Sequence, residues 1–155
     1  MDENYRLFLN DIPANLQGFV IDLNEYLLEK ECKRKIKTAK NGFVTSYLKP
    51  KTEKTLLNYV FRKTGVKMRI YAAGVGGYDV ILNDYPEQMK KEIRKACDCK
   101  KLIGGICSPT CPSGYTFCMD GVEYKKCRNM AFFHNLDEVS AEYILKLVKT
   151  ELACV

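Results

Sequence analysis

The sequence has few of the residues from which catalytic sites are most often built. It contains one histidine, His134, so a histidine-based catalytic system has a single candidate and no recognisable partner. The nucleophile signature G-x-S-x-G is absent. The segment Ala-Gly-Val-Gly-Gly at residues 73–77 follows a predicted strand, but it is neither G-x-G-x-x-G nor a Walker A sequence. These absences favour a non-enzymatic protein.

The chain also lacks long apolar runs and Gly/Ser/Pro-rich linkers. No stretch approaches the roughly 20 apolar residues that a transmembrane helix needs. The start, MDENYRLFLND, has acidic residues where a signal peptide has basic ones. We therefore expect one cytoplasmic domain without a membrane partner. Structural disulfides are rare in that compartment, so clustered cysteines there favour a metal.

Acidic residues are scarce in one part of the chain. Residues 30–70 contain 13 Lys or Arg and 2 acids, a local charge of +11, whereas the remaining residues contain 12 against 17, or −5. This asymmetry suggests an anionic partner, nucleic acid or another polyanion, although a solvated sheet face is the alternative. The cations that we predict to contact such a partner are Lys33, Arg34, Lys35, Lys37, Lys67 and Arg69.

Turn signals and alternating apolar residues predict four consecutive strands. Asn41-Gly42 separates two extended runs, and both residues suit the positive φ of a type I′ hairpin turn. After a polar loop, the run TLLNYVF and the alternating run VKMRIY supply two more strands. In the last one we expect Val66, Met68 and Ile70 to face the core. The prediction is a four-stranded antiparallel meander.

Apolar spacing predicts helices on either side of this meander. A first helix follows Pro13, a second carries Met89, Ile93 and Ala96 after a cap at Asp84, and a last one follows Asn135. The predicted fold class is α+β, with the helices on one face of the sheet and a cysteine-rich, zinc-stabilised annex. We expect a core at residues 1–96, the annex at 97–130, and a strand and helix at 131–155 that pack back on the core.

The annex contains six of the eight cysteines, within residues 97–127. Zinc prefers four thiolate or imidazole ligands, two of them commonly from one tight turn. Residues 107–114, Cys-Ser-Pro-Thr-Cys-Pro-Ser-Gly, form such a turn, and Asp120-Gly121 predicts a hairpin that returns Cys127 to it. The predicted ligands are Cys99, Cys107, Cys111 and Cys127. Cys97 and Cys118 are alternatives, although Cys118 is expected near the hairpin tip, opposite Glu123.

A zinc site with four thiolates needs nearby positive charge to offset its negative charge. The cations beside Cys99 and Cys127 supply it: Lys100, Lys101, Lys125, Lys126 and Arg128. With all four positions filled by protein, the zinc would be structural rather than catalytic. The alternative to zinc binding is that these cysteines are reduced, buried packing residues. Cys97-Asp98-Cys99 is also a candidate redox pair. Cys32 and Cys154 stand apart and are expected to be packing residues.

Four stretches carry a resemblance to a known group of proteins: LLNYVFRKTGVKMRIYA, IRKACDCKKL, CSPTCPSGYTF and YKKCRNMAFF. Together they resemble a family of short, uncharacterised bacterial proteins, and the resemblance spans most of the chain. It implies that cysteines at positions 99, 107, 111 and 127 form the recurring set. The α plus antiparallel-sheet core is also distantly similar to the YdhG/YjbR group of small domains. Neither resemblance implies an activity.

Two functions follow as hypotheses. The first is a zinc-containing, non-enzymatic binding module whose basic sheet contacts a polyanion. The second is a small-molecule-binding protein or enzyme with a pocket between the sheet, the glycine loop and the annex, lined by Arg69, Tyr71, Tyr78 and His134. Binding to a polyanion should weaken steeply with salt, whereas binding in a mostly apolar pocket should not.

Overall fold

The computed structural model describes residues 2–153, which form an α+β fold with a five-stranded antiparallel sheet. The helices are α1 (Glu3–Asn10), α2 (Ala14–Glu29), α3 (Asp79–Asn83), α4 (Glu87–Lys95) and α5 (Glu138–Ala153), with a 3₁₀ turn at Val75–Gly77. The strands are β1 (Lys33–Ala39), β2 (Gly42–Leu48), β3 (Thr55–Arg62), β4 (Gly65–Ile70), β5 (Tyr115–Met119), β6 (Val122–Lys126) and β7 (Phe133–Asn135).

The main sheet has the strand order β1-β2-β3-β4-β7, so the predicted four-stranded meander is present but incomplete. The expectation of four strands was wrong because β7 adds a fifth, antiparallel to β4, with Met68 opposite His134. A strand of three residues gives only a weak pattern of its own. It forms because its partner β4 offers a free edge.

The first hairpin differs from the predicted turn by one residue. Ala39 pairs with Gly42, so the two loop residues are Lys40 and Asn41 rather than Asn41 and Gly42. Gly42 has a φ of +108°, but Asn41 is not left-handed, so the pair does not form the expected type I′ turn. In the β5–β6 hairpin, Asp120 and Gly121 both have positive φ, as a type I′ turn requires.

One face of the main sheet is packed against helices and forms the core. Tyr47, Leu57, Tyr59 and the β4 residues Val66, Met68 and Ile70 are all buried, which confirms the predicted core-facing residues of β4. Phe8 of α1 packs on Tyr59 with 5.3 Å between ring centroids. Helix α1 was not predicted from the sequence, although Asp2 caps it and Tyr5, Phe8 and Leu9 have helical spacing.

The helix caps differ from those expected. Asp84 ends α3 and does not cap α4, which begins after Pro86. Asn135 lies in β7, and α5 is instead capped by Asp137, whose side chain accepts from the backbone N–H of Val139 and Ser140. Boundaries of this kind are set by small differences in backbone geometry.

The annex packs against the core through its hairpin. Phe117 contacts Phe132 with 5.4 Å between ring centroids, and the buried Lys126 donates to the carbonyl oxygens of Arg94 and Ala96 at the end of α4. A lysine at that position satisfies carbonyls that the helix leaves free. Within residues 2–153, no helix combines the length and apolar character needed to span a bilayer.

Candidate functional site

The face of the main sheet opposite the helices carries a row of side chains that crosses all five strands. In this row Lys35 lies opposite Ser46, Ser46 opposite Asn58, Asn58 opposite Arg69, and Arg69 opposite Phe133. Because strand side chains alternate, Lys33, Lys37 and Lys67 belong to the same side as this row. We call this surface the open face.

Most cations of the open face lie on β1 and β4, whereas Ser46 and Asn58 occupy the middle of the row on β2 and β3. Lys35 and Lys37 are exposed on β1, whereas Lys67 and Arg69 are half-buried on β4. Three inter-strand spacings, about 14 Å in total, separate β1 from β4. The open face therefore carries positive charge on both β1 and β4.

Negative charge is nearly absent from this surface. In the described part of the chain, the five strands of the main sheet carry seven Lys or Arg residues and no Asp or Glu. The seven are Lys33, Arg34, Lys35, Lys37, Arg62, Lys67 and Arg69. The loop residue Glu53 forms an ion pair with Lys33, and that contact lowers the pKa of the Glu53 carboxyl. Lys33 is therefore partly neutralised, whereas Lys35 acts on Glu53 only through its charge and forms no described ion pair.

Arg34 is separated from the other predicted polyanion-binding residues. It lies opposite Tyr47 on the core-facing side of the sheet, donates to Asn24 Oδ1 at 2.8 Å, and lies 4.0 Å from the centroid of the Tyr5 ring. These contacts hold Arg34 against α1 and α2. Its alternation with Lys33 and Lys35 explains the separation, since neighbouring strand residues face opposite sides.

Arg62 and Phe133 also belong to the open face, although neither was named from the sequence. The guanidinium carbon of Arg69 and Lys67 Nζ lie 4.3 and 4.4 Å from the centroid of the Phe133 ring, and Arg62 lies 5.5 Å from it. The ring is 8% exposed, because these cations cover it. The alternation of side chains along β3 would have assigned Arg62 to this face. Phe133 could be assigned to it only from the pairing of β7 with β4, which was not predicted.

In the annex, backbone pairing brings two segments with cysteines together. The N–H of Cys127 donates to the carbonyl of Cys97 at 2.8 Å, and the N–H of Cys99 donates to the carbonyl of Lys125 at 2.9 Å. These bonds flank an antiparallel bridge between Asp98 and Lys126. By alternation, Cys97, Cys99 and Cys127 share one side of this short pairing.

Cys99 is buried and its sulfur is hydrogen-bonded. Its Sγ accepts the backbone N–H of Gly114 at 3.2 Å. Burial raises the pKa of the Cys99 thiol. Hydrogen bonds from the N–H groups of Leu102, Gly114 and Lys101, together with the Lys101 charge, lower the pKa by more, so the net shift is downward. Such donors stabilise the thiolate, which is the form that binds metals.

The turn that carries Cys107 and Cys111 reaches this pairing through Gly114. Lys101 Nζ donates to the carbonyl of Cys111 at 2.5 Å, and Arg128 donates to the carbonyl of Ser113 at 3.2 Å. Cys107 is exposed and Cys111 is half-buried. Among residues 2–153, no three Cys, His, Asp or Glu side chains lie close enough together to hold one ion in the conformation described.

Cys118 and Cys32 lie apart from this region. Cys118 pairs with Glu123 near the tip of the β5–β6 hairpin, as the sequence predicted. Cys32 is 4% exposed within the core, which agrees with a packing role. Cys154 lies outside the described residues.

The four residues predicted to line a pocket do not lie together. Tyr71 lines a cleft between the sheet and the annex, and Arg69 donates to the Asn129 carbonyl beside it at 2.7 Å. Tyr78 is buried and donates to Glu151 at 2.9 Å. His134 is fully buried on the core-facing side, 3.0 Å from Glu92 through Nδ1. The sequence offered no signal for this division, because Tyr71 follows β4, Tyr78 precedes α3 and His134 lies in β7.

Comparison with known proteins provides no relative from which a function could be transferred. No protein-family model, no curated protein and no solved structure matches the chain. The resemblance to a family of short bacterial proteins therefore stays a prediction.

Proposed function

We propose that the chain is a non-enzymatic binding module that contacts nucleic acid through the open face. The observation that carries the proposal is the charge of the sheet: seven cations and no acid on the five described strands. Five of these cations are on the open face and have no carboxylate among the described contacts: Lys35, Lys37, Arg62, Lys67 and Arg69. A surface of one sign is suited to a partner of the opposite sign.

Nucleic acid fits this surface better than a small anion does. The cations extend from β1 to β4, so a ligand must be large to contact both sides. Each phosphate neutralised by Lys or Arg releases condensed counterions, which makes binding favourable at low salt and steeply salt-dependent. Because its cations cover the Phe133 ring, the open face would contact phosphates rather than bases.

The proposal includes one structural Zn²⁺ in the annex, with Cys99, Cys107, Cys111 and Cys127 as ligands. Support comes from the hydrogen-bonded Cys99 sulfur and from the backbone pairing that brings Cys127 beside Cys97 and Cys99. Binding requires the turn with Cys107 and Cys111 to close toward Cys99 and Cys127. Cys97 is the alternative fourth ligand, because it lies directly opposite Cys127. Metal binding and folding of the annex would then be coupled.

The open face is tested by fluorescence anisotropy with a labelled 20-base-pair DNA or RNA duplex, measured from low to high salt. The test variant is Lys35→Ala/Lys37→Ala/Lys67→Ala. We expect its affinity at low salt to be at least tenfold weaker. The salt slope should fall by about 1 for each phosphate that the variant no longer neutralises. Circular dichroism checks that the variant folds.

The matched control removes the same charge from the helix side, with Lys91→Ala/Lys95→Ala/Lys146→Ala. These lysines are exposed on α4 and α5. The control should bind within about twofold of the unmodified protein. Equal weakening in the two variants would show that only net charge matters, and no binding by the unmodified protein at low salt would refute the proposal.

A further inference from the structure

A cleft lies where the end of the open face meets the annex. Its volume is about 740 Å³, and it is lined from the sheet side by Lys54, Thr55 and Tyr71 and from the annex by Ser108, Thr110, Cys111, Arg128 and Asn129. This volume is within the range of ordinary small-molecule sites. We call it the annex cleft.

Tyr71 is continuous with the open face and enters the annex cleft. It follows Arg69 by two residues, and both side chains contact Asn129: the Tyr71 hydroxyl lies 3.1 Å from Asn129 Oδ1, and Arg69 Nε donates to the Asn129 carbonyl. A ligand that follows the cations of β4 therefore reaches Tyr71 next.

The Tyr71 ring is more accessible than the Phe133 ring, which lies on the same side of the sheet. Phe133 is covered by its cations, whereas Tyr71 is partly exposed and lines the cleft. The Arg128 guanidinium carbon lies 5.6 Å from the Tyr71 ring centroid. An aromatic ring beside an arginine is the combination on which unpaired bases stack.

Two cations of the cleft are positioned for a phosphate. Arg128 and Lys54 line it from opposite sides, and the acidic lining residue, Glu53, is engaged by Lys33. The hydroxyl groups of Ser108 and Thr110 add donors and acceptors on the annex side. The lining therefore suits an anion attached to a planar ring.

We propose that the annex cleft binds one unpaired nucleotide of a nucleic-acid strand, with its base against Tyr71 and its phosphate near Arg128 and Lys54. This inference rests on the proposed function of the open face and extends it. It predicts that single-stranded segments gain a contact that a duplex, whose bases are already stacked, cannot make.

The experiment compares a labelled 20-nucleotide single strand with a 20-base-pair duplex in the same anisotropy assay, using the full chain. Tyr71→Ala should weaken binding of the single strand about tenfold and leave binding of the duplex within about twofold. Tyr71→Phe keeps the ring and should restore single-strand binding to within about twofold. Tyr26→Ala, on the helix side, controls for removal of a tyrosine elsewhere.

The outcomes separate this inference from the proposed function. If the open-face triple variant loses duplex binding while Tyr71→Ala leaves the single strand unchanged, the cleft assignment is wrong and the open face stands. Equal weakening of single strand and duplex in Tyr71→Ala also overturns the cleft assignment. If Tyr71→Ala weakens binding of a free nucleoside monophosphate but does not change strand binding, the cleft binds free nucleotides, and the proposal that it binds a nucleotide of a strand is wrong. If neither nucleic acid binds at low salt, both proposals fail.

Discussion

At the residue scale, Gly114 determines how the annex closes. A Cβ at this position would lie 2.0 Å from the carbonyl oxygen of Lys126 and 2.9 Å from the Cβ of Cys99. No side chain larger than hydrogen fits there, because the nearest atom belongs to the backbone. The close approach lets the Gly114 N–H reach the Cys99 sulfur, which links the cysteine turn to the hairpin.

Gly114→Ala is therefore expected to destabilise the protein by at least about 3 kcal/mol, at the upper end of the usual cost of overpacking. Urea unfolding measures the change. Gly18→Ala in α2 is the control, since a Cβ there has no atom within 4 Å, and it should stabilise the protein by about 0.5–1 kcal/mol. Similar stability of the two variants would contradict the packing described around Cys99.

Individual residues also show how far the sequence allows prediction. The alternation of β4 is sufficient to assign Val66 and Met68 to the core and Lys67 to the other side, because the pattern spans a regular strand. Charge alone groups Arg34 with its neighbours, whereas its position opposite Tyr47 requires the register. The burial of His134 could not be predicted, because its hydrogen bond with Glu92 of α4 is a long-range contact.

At the element scale, segments with strong patterns were predictable, whereas the pairing of the strand expected within residues 131–155 with β4 was not. Helix α2 and strands β1 to β4 have strong patterns of their own, and all were expected. Strand β7 has three residues and exists because β4 has a free edge, so tertiary pairing decides it. Helix α1 precedes a proline and has eight residues, a length at which packing of Phe8 on the sheet matters more than propensity.

The proposed zinc ion would stabilise the annex, and its presence can be tested directly. Protein purified without a tag should contain about one zinc ion per chain by elemental analysis. Removal of the ion with a chelator should increase hydrogen exchange in β5 and β6, whereas β2 and β3 in the main sheet stay protected. The separate two-stranded sheet makes this difference measurable by region.

Cysteine variants identify the ligands in the same measurement. Cys99→Ser and Cys127→Ser should each lower the zinc content to well below one ion per chain, because each removes a ligand. Cys118→Ser is the matched control and should keep the ion, since Cys118 lies opposite Glu123 near the hairpin tip. Near-zero zinc in the unmodified, folded protein would refute the proposed zinc site.

At the scale of the whole molecule, the main sheet has two faces of different character. Helices pack on one face and bury its apolar side chains, whereas the other displays cations. The charge asymmetry of residues 30–70 indicated a basic sheet, but it could not show which cations share a face. Of the four residues that the sequence suggested for a pocket between sheet and annex, only Tyr71 lines the annex cleft, because the other lining residues, at 53–55, 108–112 and 128–129, meet only in the fold.

Binding through the open face can be tested by mapping which amides respond to nucleic acid. In ¹⁵N-labelled protein titrated with a short duplex at low salt, we expect the largest amide shift changes in β1, β3 and β4, around Lys35, Arg62 and Lys67. Helices α2 and α5, on the opposite side of the sheet, should change little. Shift changes concentrated on those helices, or no changes at all, would contradict binding through the open face.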